Sequence, residues 1–217
     1  MLYPMKKTYV YGLLIALLGT AACQSDHALN PAQNQLNVAA SSTTISAEGA
    51  DAQNSGVLTG SINTASPSAG PLGARAASVA VQQEILTYLN VARSKSCLCG
   101  TTTYAQAPAL VLNAKLTSAS DKFALDLATY NYFSHTGRDG SLPWDRMTRE
   151  GYVWRAAGEN IAAGYPTARA VVDGWLKSPG HCANIMSSNF KEVGVGYAYT
   201  TTSTYKAYWV TDFGTQR

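Results

Sequence analysis

Between Gln24 and Ser78 this 217-residue sequence has no Phe, Trp or Tyr, and only four charged side chains: Asp26, Glu48, Asp51 and Arg75. A stretch without large apolar groups cannot bury enough surface to offset the entropy of ordering it, so no core is expected there. Long apolar runs are scarce as well. The run from Tyr9 to Gly19 falls short of the ~20 residues a helix needs to cross hydrocarbon, which argues against a permanent membrane span. Net charge is only +3, with no basic run, and phosphate backbones demand a concentrated positive patch, so nucleic acid is not an expected partner. Several nucleophile and cofactor motifs are also missing: there is no G-x-S-x-G elbow, no H-E-x-x-H, no Gly-rich Lys-Ser/Thr phosphate loop and no C-x-x-C.

What is present divides into three parts. Met5-Lys6-Lys7, the apolar run and Thr20-Ala21-Ala22 read as an export signal over residues 1–22. Cys23 follows the small residues in an arrangement similar to the lipobox of bacterial lipoprotein precursors, although Thr20 stands where Leu is usual. Cys23 is therefore a candidate lipid anchor to a membrane, the alternative being a cleaved signal with an unmodified cysteine nearby. Residues 23–78 would then form a flexible tether with an r.m.s. span of roughly 40 Å. Residues 79–217 hold 18 of the 21 aromatics and all four tryptophans, so the folded domain is expected there, in an extracytoplasmic, oxidising compartment.

Within the domain, Val81, Ile85, Leu89 and Ala92 recur at helical spacing behind a possible Ser78 cap. A second helix is expected over Asn113–Tyr132. Pro143 suits the opening of a short helix that stops at Gly151, and Pro166 suits one running through Val171, Val172 and Trp175 that Pro179 and Gly180 end. From Val193 to Tyr199 and again from Tyr205 to Phe213 the period changes to two, which predicts an antiparallel hairpin. Gly151–Arg155 is a possible third strand. Helices first and strands last point to an α+β layered domain.

Cys97 and Cys99 are too close in sequence for a comfortable mutual bridge. One of them, with Cys99 beside Gly100 favoured, is expected to pair with Cys182, three buried thiols being the alternative. His135 and His181, the domain's two histidines, sit in segments dense with Gly, Ser and Pro, where functional side chains concentrate. Glu159 lies in a run nearly free of charge and needs a partner if buried. Two imidazoles and a carboxylate suit a divalent metal, and capping or loop-bracing hydrogen bonds would explain the same residues. Ser134 and Ser178 neighbour the histidines without forming a nucleophile motif. Tyr197, Tyr199, Tyr205 and Tyr208 read either as a ligand platform or as ordinary sheet residues, the latter being commoner.

Taken in order, LNVARSKSCLCG (89–100), FSHTGRDGSLPWDRM (133–147), GENIAAGY (158–165), VVDGWLKSPGHCANIM (171–186), FKEVGVGYAY (190–199) and YWVTDFG (208–214) closely resemble the bacterial branch of the CAP superfamily. That superfamily groups cysteine-rich secretory proteins, antigen 5 and pathogenesis-related proteins. The resemblance implies a three-layer α-β-α sandwich with an antiparallel central sheet and a cleft carrying two His and two acidic residues, able in some members to hold zinc or another divalent ion. His135, Glu159 and His181 match three of those four groups. The fourth falls at Ser178, so a fourth ligand or base would have to come from water or from Glu192. Cys99 and Cys182 match a bridge of similar bacterial members. The implied function is a surface module that binds a lipid, glycan or protein in its cleft, the alternative being a metal-dependent hydrolase with Glu159 as ligand or base.

Overall fold

The computed structural model describes residues 77–217; the expected export signal (1–22), Cys23 and nearly all of the expected tether lie outside the described residues. Helix α1 (Val79–Arg93) begins where Ser78 Oγ accepts the Val81 amide at 3.3 Å, and Ile85, Leu89 and Ala92 form its buried stripe. Helix α2 (Ala114–Tyr130) is capped by Asn113 Oδ1, which accepts from the amides of Lys115 and Leu116. Helix α3 (Pro143–Arg149) opens on its proline as expected. Helix α4 (Ala168–Lys177) is capped by Thr167 and ends before Pro179. Pro179 does more than the sequence reading allowed: it terminates α4 and also takes the first position of helix α5 (Pro179–Met186). A missing N–H costs nothing at that position, so His181 stands on a helix rather than a loop.

The strands are β1 (Cys97–Cys99), β2 (Thr102–Tyr104), β3 (Val111–Leu112), β4 (Trp154–Ala163), β5 (Glu192–Tyr199) and β6 (Ala207–Gln216). The expected hairpin is β5–β6, in antiparallel register with Val195 opposite Thr211. The central sheet runs β3-β5-β6-β4, antiparallel except for the two-residue β3, which pairs parallel to β5. The third strand is displaced from its expected place. Gly151 sits at φ 77° in the turn after α3, and pairing starts at Trp154 and continues to Ala163. Alanine and glycine carry little strand preference of their own, so it is the long partner β6 that draws them into the sheet.

Two helical layers enclose this sheet, giving the α-β-α sandwich. On one face Tyr208 and Val210 of β6 pack with Phe123 and Leu127 of α2. On the other, Trp209 and Phe213 pack with Trp175 and Val172 of α4 and Ile85 of α1, as the period-two alternation requires. A Cβ on Gly194 would lie 2.0 Å from the Leu116 carbonyl carbon, and one on Gly196 would lie 2.1 Å from Ser120 O. The two glycines therefore let the α2 backbone rest directly on β5, which brings Ser120 down onto the sheet. Among the described residues no helix is long and apolar enough to cross a membrane.

Candidate functional site

Strand β4 is the sheet edge, and adjacent strand residues point to opposite faces. Glu159 therefore turns toward the α2–α3 layer and Asn160 toward the α5 layer. On the first side His135 Nδ1 donates to Glu159 Oε1 at 2.7 Å, and Arg146 Nη2 donates to Oε2 at 2.6 Å. Arg146 also donates to the Ser141 carbonyl at 2.9 Å and the His135 carbonyl at 3.1 Å, while its guanidinium stacks 3.4 Å over the Phe123 ring. One buried arginine on α3 thus ties the histidine-bearing loop to the edge strand. The Glu159 side chain is 1% exposed and that of His135 49%. A carboxylate at Nδ1 favours the tautomer that leaves Nε2 as the acceptor.

Across the strand pair from Glu159 lies Asp212, fully buried, with Ser120 Oγ donating to its Oδ2 at 2.9 Å. Burial, reinforced by the neighbouring Glu159 carboxylate, pushes Asp212 well above the usual carboxylate range. Arg146 supplies the buried cation beside these two acids through its 2.6 Å contact with Glu159.

On the other face Asn160 Nδ2 donates to the His181 carbonyl at 3.1 Å. Asn184 Nδ2 donates to Asn160 Oδ1 at 2.9 Å and to the Glu159 carbonyl at 3.2 Å. Cys182, next to His181, is bridged to Cys99, the pairing favoured from the sequence. Cys97 is buried beside them, its Sγ 3.5 Å from that of Cys182. His181 is half-buried, and burial first, then repulsion from His135, hold its pKa below the ordinary 6.5. The two imidazoles, His135 on a loop and His181 on α5, are thus tied to the same edge strand from its two faces.

Other expected participants fall elsewhere. Ser178 links α4 to α5 one turn before His181, and its side chain makes no capping bond. Glu192, the possible substitute acid, is held at the start of β5 by Tyr152 Oη at 2.6 Å, Asn113 at 2.9 Å and Gln216 at 3.1 Å. Of the tyrosines, Tyr208 is buried in the α2-side core and Tyr197 packs on Trp209 with centroids 4.3 Å apart.

Among the described residues, the group of three His, Cys, Asp or Glu side chains whose donor atoms lie within 4.8 Å of one another is Cys97, Cys99 and Cys182, two of which form the bridge. His135, Glu159 and His181 do not form such a group. Glu159, expected from the sequence as a third ligand, stands behind His135, its two oxygens engaged by His135 and Arg146. What the residues present do supply is one imidazole backed by a carboxylate, the arrangement that steadies a metal-ligating histidine. A divalent ion bound there would polarise an oxygen ligand as a Lewis acid.

Sequence reasoning missed Arg146, Asp212, Asn160 and Asn184. A lone acid within an apolar strand pattern, as in WVTDFG (209–214), was the available signal for Asp212, because an acid at an inward-facing position needs a partner or a proton.

Comparison with known proteins sets this geometry in context. The uncharacterized protein YkwD of Bacillus subtilis is 38% identical over 88 residues, covering 41% of this chain and 34% of that protein. The uncharacterized membrane protein YlbC of the same organism is 45% identical over 73 residues, covering 33% and 20%. This chain thus spans about a third or less of the curated relatives it matches. A solved extracellular protein containing an SCP domain, from Bacillus anthracis, superimposes with a TM-score of 0.52 at 26% identity, covering 64% of this chain and 41% of that one. Residues 86–213 match the cysteine-rich secretory protein family, CAP, and the chain belongs to that family.

Proposed function

We propose that this protein is an extracytoplasmic, surface-tethered binding module whose cleft presents His135 and His181 to a lipid, glycan or protein ligand, with a divalent ion such as zinc held between the imidazoles. The observation that carries this reading is that neither acid beside the histidines, Glu159 or Asp212, is free to meet a substrate. Glu159 is engaged on both oxygens, Asp212 is sealed in the core, and the fourth family position is Ser178. A general base must reach the proton it abstracts, and neither buried acid does. The extracellular SCP-domain protein of Bacillus anthracis supports the location, and Cys23 supplies the anchor; fatty-acid labelling that is lost in Cys23→Ser checks the latter.

A second reading, metal-dependent hydrolysis, is favoured by one feature: His135, aligned by a carboxylate at Nδ1, offers its Nε2 as ligand or base. One experiment separates the two. Zinc is titrated into the purified chain, and the loaded protein is assayed on ester, peptide and glycan substrates. The binding module takes up one zinc, loses it in His181→Ala and turns over nothing. Turnover that disappears in His135→Ala and His181→Ala would replace it with the hydrolase. Absence of zinc uptake near neutral pH, where imidazole is free to ligate, would remove the ion from the proposal.

A further inference from the structure

A cavity of about 510 Å³ opens between α2, the 137–141 loop and α3, a size that suits a small ligand. Arg146 lines it, whereas His135, Glu159 and His181 do not. Four cations line it, Lys122, Arg138, Arg146 and Arg149, together with three carboxylates. Each carboxylate is already engaged. Glu150 accepts from Lys122 at 2.6 Å and Ser118 at 2.8 Å, Asp139 accepts from the Ser141 amide at 3.0 Å and Arg149 at 3.1 Å, and Asp126 accepts from the Tyr132 hydroxyl.

The cations are not so fully matched. Arg138 pairs with no carboxylate among the described residues; its guanidinium lies 3.5 Å over the Tyr130 ring, a contact that steadies a planar cation without neutralising it. Arg149 and Asp139 are both more than half exposed, and such pairs exchange readily with a competing anion. In the wall behind them Arg146, only 7% exposed, has a buried Nε with no acceptor, and an orphan buried donor carries a desolvation cost that an acceptor would remove. We infer that this cavity is a binding site for an oxyanion, a carboxylate or phosphate group, received chiefly by Arg138 with Arg149 assisting. A guanidinium suits such a group because its parallel N–H bonds match two oxygens at once. The inference does not rest on the reading of the imidazole cleft.

The test titrates the purified full chain, in a buffer free of phosphate and at low salt, with D-glucuronate, inorganic phosphate and neutral D-glucose, followed by NMR shifts. The expected result is saturable binding of an anion, no binding of glucose, weakening of about tenfold or more in Arg138→Gln, and unchanged affinity in His181→Ala. Arg138 is exposed, so its replacement leaves the fold intact. Binding of phosphate alone would support the site with phosphoryl groups as the source; binding of glucuronate alone would support it with acidic sugars. No saturable anion binding, equal affinity in Arg138→Gln, or glucose binding as well as glucuronate would overturn it.

Discussion

His181 rides on a helix fastened by a disulfide at the next residue and by amide hydrogen bonds from Asn160, which Asn184 in turn holds. His135, in contrast, sits on an irregular loop and is fixed by a charged network, Glu159 with Arg146 behind it and Asp212 opposite on the neighbouring strand. Two consecutive residues of one edge strand, Glu159 and Asn160, serve the two arms from opposite faces. The difference teaches how an edge can gather side chains from both layers of a sandwich: a covalent, packed arm gives a fixed reference, and a charge-held arm gives an exposed imidazole with a set tautomer. The arms should therefore fail differently, one with redox state and the other with loss of a single charge.

Removing the bridge is the larger blow. The pair Cys99→Ser with Cys182→Ser opens a link between residues 83 apart in sequence, for which the chain-entropy estimate is about 4.5 kcal/mol. Urea unfolding should show most of that loss. A change under about 1 kcal/mol would mean that packing of α5, and not the bridge, secures the His181 arm. Arg146→Met strikes the other arm. It leaves Glu159 buried without its cation, and breaking a buried pair on one side costs about 3 kcal/mol or more. The same denaturation experiment measures it, and NMR of the His135 ring should show the loop released. Near-neutral stability in Arg146→Met would show that Glu159 escapes to water, and the charged network would then not be what fixes His135.

Much of this contrast was legible in the sequence, though unevenly. Ser78 and the Pro143 start gave two helix openings correctly, because caps and φ restriction act locally. The β5–β6 hairpin was readable because alternation over Val193–Tyr199 and Tyr205–Phe213 is a period signal independent of tertiary context. Strand β4 was not readable in its extent, since Ala156, Ala157, Gly158, Ala162 and Ala163 become strand only by pairing with β6. His135, Glu159 and His181 were found from their scarcity and their resemblance to family motifs. The residues that define their roles, Arg146, Asp212, Asn160 and Asn184, were not. Which donor faces which carboxylate is decided by strand register and helix placement, and local sequence carries neither. That is also why Glu159 was expected beside the histidines and stands behind one of them.

The smallest effect tests whether the arms meet. With any metal removed by a chelator, burial and then repulsion from His135 hold His181 below 6.5. The sign follows from linkage: the unfolded chain binds this proton more readily than the folded one, so the stability from a neutral His181 is complete above 6.5 and is lost as pH falls through the folded value. His135→Gln removes the repulsion and keeps the burial, so His181 should titrate higher than in the parent and still below 6.5, with a narrower acid-side loss of stability. NMR titration of the His181 ring reads this directly. An unchanged His181 would mean that the two imidazoles do not sense each other across β4, which would leave two independently held histidines and no shared site between the layers.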